Sequence, residues 1–230
     1  DDLLGDASTR NPEKFKAKAG HLLFHLIQSQ YWTDLSVDAR RSWLWMDEAA
    51  GFAFEGDFGF LDQHLEGQSS KSAVKGLELS ARSDNADELS AHGYGAALFL
   101  AHLDQDLKQA DPVWMSKVYN RKKGSAVVPL PVKAMQDTQI DVGQKWWNYC
   151  KYEHVYLYIL DGDGIDGSDI KGGAKTLQGV VNKPVSFAWT APELSAQLFE
   201  IVTPATWPSS ADLSVSVSPA TSVWITLQTG

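Results

Sequence analysis

The N-terminal two thirds of the chain carries apolar residues at the spacing of amphipathic helices. After Asn11-Pro12, a dipeptide that suits a helix start, apolar residues recur every three or four positions as far as Tyr31. This pattern predicts a first helix of about 20 residues. The same pattern predicts further helical segments from Asp38 to about Phe54, from near Tyr94 to Gln109, from Asp111-Pro112 to Tyr119, and from Val142 onwards, with Val155–Leu160 fitting either helix or strand.

The character of the chain changes after Asp161. Short runs of β-forming residues follow a loop rich in Gly and Asp, and prolines separate these runs. Apolar and polar residues alternate in Leu213–Val217 and in Val223–Leu227, which is typical of half-buried strands. We therefore predict an α+β fold, with a mainly helical domain over residues 1–172 and a small antiparallel β-sandwich domain over residues 173–230.

Composition and charge narrow the classes of function. The chain has 230 residues, of which 43% are hydrophobic, so it is globular rather than disordered. Its formal net charge of −9 disfavours binding to nucleic acid, which requires clustered Lys and Arg, and it has no apolar run long enough for a membrane span. The single Cys150 excludes an internal disulfide. The many Trp residues, the end rich in Ser and Thr, and the acidic balance favour a secreted or cell-envelope protein.

Two histidines on the first predicted helix have the spacing of a metal chelate. His21 and His25 are four residues apart, so they lie one turn apart on nearly the same helix face. Two such imidazoles can bind one zinc ion, which needs a third protein ligand in a catalytic-type site. Glu48, on the next predicted helix, is the candidate. The alternative is a chance pair of hydrogen-bonded structural histidines.

Three segments resemble the core of the gluzincin metallopeptidases, which are zincins with an HExxH helix and a Glu ligand on a later helix. His21–Gln28 (HLLFHLIQ) is similar to the HExxH helix and the hydrophobic residue and Gln that follow it. Trp45–Ala50 (WMDEAA) resembles the Trp-x-x-Glu-x-Ala helix of this family, and Ala91–Leu100 resembles the beginning of its next helix. The likeness covers about residues 15–120.

The resemblance implies a zinc-binding, zincin-like domain with a cleft for a peptide or protein ligand. By position, His21, His25 and Glu48 would be the zinc ligands. Tyr94 or His92 would stabilise the transition state. A β-rich C-terminal domain is a common companion in secreted bacterial members of the family.

The sequence departs from the family at two points. Leu22 stands where the family has the Glu that activates water, and a leucine can neither accept a proton nor hydrogen-bond the metal-bound water. Only 20 residues precede His21, too few for the β-sheet that roofs a zincin cleft. Three alternatives follow: the chain is a fragment that lacks this segment, the fold is reduced, or another chain supplies the sheet and completes the cleft.

Three functional hypotheses follow from these features. The favoured one is a catalytically inactive homologue of zincin-like metallopeptidases that works as a binding or structural module with a residual zinc site. The second is an active zinc metallohydrolase in which Asp47 or Glu55 replaces the missing base, since both lie on the predicted helix of Glu48. The third is an exported carbohydrate- or protein-binding protein whose β domain is the functional part.

A second cation site is suggested by the loop Asp161–Asp169. Its alternating carboxylates and glycines suit oxygen-ligated Ca²⁺, and it begins like an EF-hand loop. Gly172 stands where an EF-hand needs a bidentate Glu, so a full EF-hand is excluded. A looser calcium loop and a solvated acidic linker are the two remaining interpretations.

Overall fold

Six α-helices make up most of the chain that the computed structural model describes, namely residues 12–33, 35–55, 75–123, 127–150, 175–178, 193–195 and 199–202. A 3₁₀ turn at Leu79–Ala81 precedes the third helix. None of the described helices combines the length and apolar character needed to cross a membrane. The helices are α1 (Pro12–Ser29), α2 (Val37–Glu55), α3 (Ala86–Leu107), α4 (Trp114–Asn120), α5 (Pro131–Asp137) and α6 (Val142–Tyr149).

The first two helices confirm the apolar periodicity of the sequence. Pro12 begins α1, where a missing backbone N–H is tolerated, and α1 ends at Ser29 rather than at Tyr31. The predicted segment from Asp38 to Phe54 differs from α2 by one residue at each end. Since α1 and α2 carry the candidate ligands, the scaffold of the predicted site is correctly placed in the sequence.

The predicted beginning of the third helix is wrong. The helix α3 begins at Ala86, eight residues before Tyr94, because the side chain of Asn85 caps it. Asn85 Oδ1 accepts hydrogen bonds from the backbone N–H groups of Asp87 and Glu88 at 3.0 and 3.2 Å. These two acidic residues also favour the positive end of the helix. The start signal is thus polar, and apolar periodicity alone does not reveal it.

The core is built on the pair α2 and α3, which pack along much of their lengths. Their contacting faces are fully buried and mostly apolar, with α1 on one side and the short helices α4–α6 closing the other. Burying these large side chains is the main favourable term in folding. The principal members are Trp43, Trp45, Met46 and Ala49 of α2, Leu89, Phe99, Leu100 and Leu103 of α3, and Trp114, Met135 and Trp146 of the short helices.

A glycine allows α2 and α3 to approach closely. A Cβ atom added at Gly93 would lie 2.5 Å from the backbone oxygen of Trp45 and 2.7 Å from Cβ of Glu48. No side chain larger than hydrogen fits between two backbones at these distances. Gly93 therefore sets the short distance between α2 and α3 at the position of Glu48.

A half-buried carboxylate ties the loop before α3 to the rest of the core. Glu78 Oε1 accepts from Trp45 Nε1 at 3.0 Å, and its Oε2 accepts from the backbone N–H of Val132 at 2.8 Å. Burial raises the pKa of Glu78, and these hydrogen bonds oppose that shift. The residue thereby connects α2, the 3₁₀ turn and the start of α5.

The prediction of an antiparallel β-sandwich is wrong, and with it the α+β assignment. The described residues are mainly helical, and the strands among them, β1 (Lys175–Gln178) and β2 (Phe199–Val202), form one parallel pair. Alternation in the sequence determines which residues share a face of a strand, but it does not determine which strand pairs with it or in which direction. The predicted strands Leu213–Val217 and Val223–Leu227 lie outside the described residues, and the boundary at residue 173 stays a prediction.

The close approach at Gly93 gives a testable expectation. We expect Gly93→Ala to lower the free energy of unfolding by about 1–3 kcal/mol, because the added methyl group overpacks the contact between α2 and α3. Urea unfolding followed by circular dichroism measures this change. Gly143→Ala in α6 is the matched control, since its Cβ would meet Asp141 Oδ1 at an ordinary 3.6 Å. Equal stabilities of the two variants would contradict the close packing.

Candidate metal centre

Three predicted ligands meet at the contact between α1 and α2. His21 and His25 lie one turn apart on α1, and Glu48 faces them from α2. The two Nε2 atoms are 2.8 Å apart, and Glu48 Oε2 lies 3.8 Å from the first and 3.7 Å from the second. One ligand atom from each residue therefore points at the same small volume, as the sequence predicts for a metal site.

The other ring nitrogen of each histidine is held by an oxygen atom. His21 Nδ1 lies 2.7 Å from Glu55 Oε1, and His25 Nδ1 lies 2.7 Å from Gln28 Oε1. Carboxylate and amide oxygens only accept hydrogen bonds, so each Nδ1 must carry the proton. Metal-binding histidines are typically oriented by this kind of outer hydrogen bond.

The protonation pattern leaves two lone pairs directed at each other. In a neutral imidazole with its proton on Nδ1, Nε2 has only a lone pair, and here two such atoms are 2.8 Å apart beside a carboxylate. Three electron-rich groups at these distances repel unless a positive charge lies among them. That charge is either a proton shared by the histidines or a metal ion.

The pKa shifts of the three residues also indicate that the cluster favours a positive charge. Burial raises the pKa of Glu48, but the two histidines beside it outweigh burial and lower the pKa to about 2. Burial lowers the pKa of His21, and Glu48 and Glu55 more than reverse this, so its pKa is raised. The nearby Glu48 carboxylate is the largest influence on His25 and raises its pKa. The cluster thus attracts positive charge.

The donor set fits zinc or a similar divalent transition ion. Two imidazole nitrogens and one carboxylate oxygen form a known catalytic-type ligand set that leaves one position open. Tetrahedral zinc separates two bound nitrogens by about 3.3 Å, so the 2.8 Å contact must widen slightly. The His25 side chain, which is more exposed than that of His21, has the freedom to rotate by this amount.

Two neighbouring residues of α2 surround the His21 ring: Gly51 leaves space for it, and Phe52 packs against it. A Cβ atom added at Gly51 would lie 3.0–3.3 Å from atoms of the His21 ring. Phe52 packs edge-on against His21, with ring centroids 4.5 Å apart. Lys18 lies over the Phe52 ring and pairs with Glu55 at 2.9 Å. Glu55 is therefore held by both a lysine and a histidine.

The position at which the resemblance predicts a general base is open to solvent. Leu22 is 66% exposed, next to His21 and on the outer side of α1. Neither alternative carboxylate stands free beside the ligands. Asp47 is buried and pairs with Lys122 at 3.0 Å, and Glu55 hydrogen-bonds His21 Nδ1 on the side of the ring away from Glu48.

The two predicted transition-state residues lie in different environments. Tyr94 is half-buried and packs edge-on against Phe52, and burial together with the charge of Glu48 raises its pKa, so it lies near the ligand cluster. His92 is buried, with Nε2 hydrogen-bonded to the carbonyl of Leu77 at 3.0 Å and its ring against Trp45. These contacts give His92 a place in the core that joins α3 to the preceding loop.

Sequence reasoning missed the roles of the residues that orient the ligands. Gln28 had no role, although its position three residues after His25 on one helix is a signal for side-chain contact. Glu55 was considered as a base because it shares a helix face with Glu48, and its contact with His21 spans 34 positions of the sequence. No local pattern predicts a contact at that separation.

The predicted calcium loop Asp161–Asp169 lies outside the described residues, so calcium binding there stays a prediction. Within the described residues, the one cluster of His, Cys, Asp or Glu with metal-ligand spacing is His21, His25 and Glu48.

Comparison of the chain with protein-family models, with curated proteins and with solved structures gives no match. The likeness of His21–Gln28 and Trp45–Ala50 to gluzincin motifs therefore remains a resemblance of short segments, and the geometry of the described residues carries the functional argument.

The buried His92 gives a pH-dependent expectation for stability. Burial lowers the pKa of His92 to about 4, so the folded protein keeps it neutral while the unfolded chain takes up a proton near pH 6.5. The contribution of neutral His92 to the free energy of unfolding is fully present above about pH 6.5 and is lost as the pH falls towards 4. We expect this loss to reach about 3 kcal/mol of unfolding free energy.

Comparison with His92→Gln isolates this contribution. Both proteins keep the ligand cluster, so its own pH dependence cancels in the difference between their unfolding free energies at pH 7.5 and pH 4.5. We expect the wild-type protein to lose more stability than the variant over this interval. Parallel curves would show that His92 titrates normally in the folded state.

Proposed function

We propose that the protein binds one divalent transition metal ion, zinc in the first place, through His21, His25 and Glu48. We further propose that it is a zincin-like homologue of metallopeptidases that acts as a binding module rather than a hydrolase. The observation that carries the proposal is the pair of Nε2 atoms 2.8 Å apart, each deprived of its proton by an outer hydrogen bond, beside a carboxylate. A bound ion would supply a Lewis-acidic centre with one open position.

The surroundings of the cluster support a non-hydrolytic role. Leu22, at the position of the general base, offers no proton acceptor. The second hypothesis needs another base, but Asp47 is occupied by Lys122 and Glu55 by Lys18 and His21. Both carboxylates are 1% exposed. A base that is buried and already paired is poorly placed to take a proton from water.

The outer face of α1 supports a role in binding a peptide or protein ligand. Leu22, Leu23 and Leu26 are 66%, 53% and 65% exposed, and they lie beside the two histidines of the cluster. Contiguous exposed apolar side chains are typical of interaction sites. A partner that covers this face would lie next to the open position of the metal. The third hypothesis concerns the C-terminal part, most of which lies outside the described residues, and stays a prediction.

Metal analysis tests the proposed site. Protein purified without added zinc and analysed by inductively coupled plasma mass spectrometry should contain about one metal ion per chain, since the three ligands form one site. His25→Ala should lose the ion because it removes one ligand. His102→Ala is the control, since this half-buried histidine of α3 packs against Tyr149 instead.

Competition with a chromophoric chelator completes this test. If apo-protein binds neither zinc nor cobalt at micromolar concentrations, the proposal is wrong. Binding that survives His25→Ala but not His102→Ala would also contradict it, since the metal would then lie elsewhere.

The position of Leu22 gives a gain-of-function expectation. Because the side chain is largely exposed, Leu22→Glu should leave stability nearly unchanged and place a carboxylate beside the metal ligands. General-base assistance contributes roughly 10²–10⁴-fold, so we expect zinc-dependent cleavage of a fluorogenic peptide to appear or rise by up to this factor.

Leu22→Gln is the matched control because it is polar but cannot take up a proton. Equal activity of the Glu and Gln variants would show that the general base is not what the site lacks. A wild-type protein that already cleaves the peptide, and that a chelator inhibits, would overturn the non-hydrolytic proposal.

A further inference from the structure

A chain of buried hydrogen bonds leads from His25 into the core. Gln28 accepts from His25 Nδ1 at 2.7 Å, and Gln28 Nε2 donates to the hydroxyl of Tyr119 at 2.7 Å and to the backbone oxygen of Asp47 at 3.0 Å. Burial and the negative charge of the nearby Asp47 carboxylate raise the pKa of the Tyr119 hydroxyl well above its usual value. Gln28 and Asp47 are each 1% exposed and Tyr119 is 2% exposed. The chain is therefore shielded from water.

The direction of every hydrogen bond in this chain is determined. A backbone carbonyl only accepts, so the group of Gln28 that faces the Asp47 carbonyl oxygen must be the amide nitrogen. The amide of Gln28 then directs its nitrogen towards Tyr119 as well and its oxygen towards His25. That oxygen can only accept, which places the His25 proton on Nδ1. The Asp47 carbonyl thereby determines the orientation of the Gln28 amide.

The carboxylate of Asp47, on the same residue as this carbonyl, is itself held in place by two donors. Lys122 Nζ lies 3.0 Å from Asp47 Oδ1, and Trp32 Nε1 donates to Oδ2 at 3.1 Å. The ammonium group also lies over two aromatic rings, 4.2 Å from the centroid of Trp43 and 4.4 Å from that of Tyr119. These contacts anchor the turn of α2 whose Asp47 carbonyl accepts from Gln28.

We propose that Asp47, Tyr119 and Gln28 form a relay that positions His25 for metal binding by keeping its proton on Nδ1 and its Nε2 lone pair towards Glu48. Asp47 and Tyr119 are positioning residues, because neither touches the ligand cluster. This inference rests on the proposed metal site for its purpose. The two histidines then have comparable support: Glu55 holds His21 directly, and the Asp47 carbonyl and the Tyr119 hydroxyl hold His25 through Gln28.

Nuclear magnetic resonance of the metal-free protein tests the relay without any bound ion. Long-range ¹⁵N–¹H spectra recorded above the pKa values of the two histidines report which ring nitrogen is protonated. We expect wild-type His25 to be the Nδ1–H tautomer. Gln28→Leu should introduce the Nε2–H tautomer at His25, because His25 Nδ1 loses its acceptor. Tyr119→Phe should do so to a smaller extent, because the Asp47 carbonyl still orients the Gln28 amide. His21 should stay unchanged in the same spectrum, since Glu55 holds it.

Zinc affinity provides the second measurement. Removing outer hydrogen-bond partners of metal ligands typically lowers affinity by about 10–100-fold, which we expect for Gln28→Leu. Tyr119→Phe leaves Gln28 in place, so a smaller loss on the order of fivefold is expected. Tyr31→Phe is the matched control, because this tyrosine packs against the Tyr119 ring but has no place in the relay. It should bind zinc as the wild-type protein does.

The outcomes separate this inference from the proposed function. If wild-type protein binds zinc through His25 but neither Gln28→Leu nor Tyr119→Phe changes the tautomer or changes the affinity by more than twofold, the relay is wrong and the metal site stands. If the tautomers shift as expected but no zinc binds, the relay stands and the proposed function fails. A general loss of stability with unchanged tautomers would also overturn the relay. Should Gln28→Leu not fold, Tyr119→Phe, which keeps the ring packing, decides the question.

Discussion

The close contact between α2 and α3 is the constraint on which the rest of the described structure depends. At Gly93 the two helices approach so closely that a single methyl group would lie against the Trp45 carbonyl and Glu48. This approach buries the largest side chains of the core and positions Glu48 so that it faces the two histidines of α1. Gly51, one turn after Glu48, has a similar role, because its lack of a side chain leaves space for the His21 ring. Two small residues thus couple the packing of the core to the geometry of the ligand cluster.

The cluster itself is dominated by polarity rather than by packing. Carboxylate and amide oxygens fix the protons of both histidines on the outer nitrogen, so the inner nitrogens and Glu48 concentrate negative potential in one place. A positive charge relieves that repulsion. The arrangement extends inwards through Gln28 to the Tyr119 hydroxyl and the Asp47 carbonyl, which we propose orient His25. Metal affinity and core structure are in this way linked through Gln28 and Tyr119.

Sequence patterns succeed here where contacts are local. The helices α1 and α2 follow from their apolar period, and the spacing of His21 and His25 follows from the helical turn. Sequence patterns fail where a polar signal or a contact between distant residues determines the structure. The helix α3 begins at a polar cap, which apolar periodicity does not show. The predicted β-sandwich rests on alternation, which does not indicate strand direction, and β1 and β2 pair in parallel. Gln28 and Tyr119 meet across 91 positions of the sequence, so no motif announces them.

The sequence by itself determined the types of the candidate ligands, their helical spacing and the presence of a leucine at position 22, because residue identity and the 3.6-residue period are local properties. Only the tertiary structure decided that Glu48 meets the two histidines. It also decided that Glu55 contacts Nδ1 of His21 and that Gln28 contacts Nδ1 of His25. The physical reason is that these roles depend on which nitrogen or oxygen each side chain presents to its neighbour. That orientation is fixed by packing between helices and by the one-way character of hydrogen bonds.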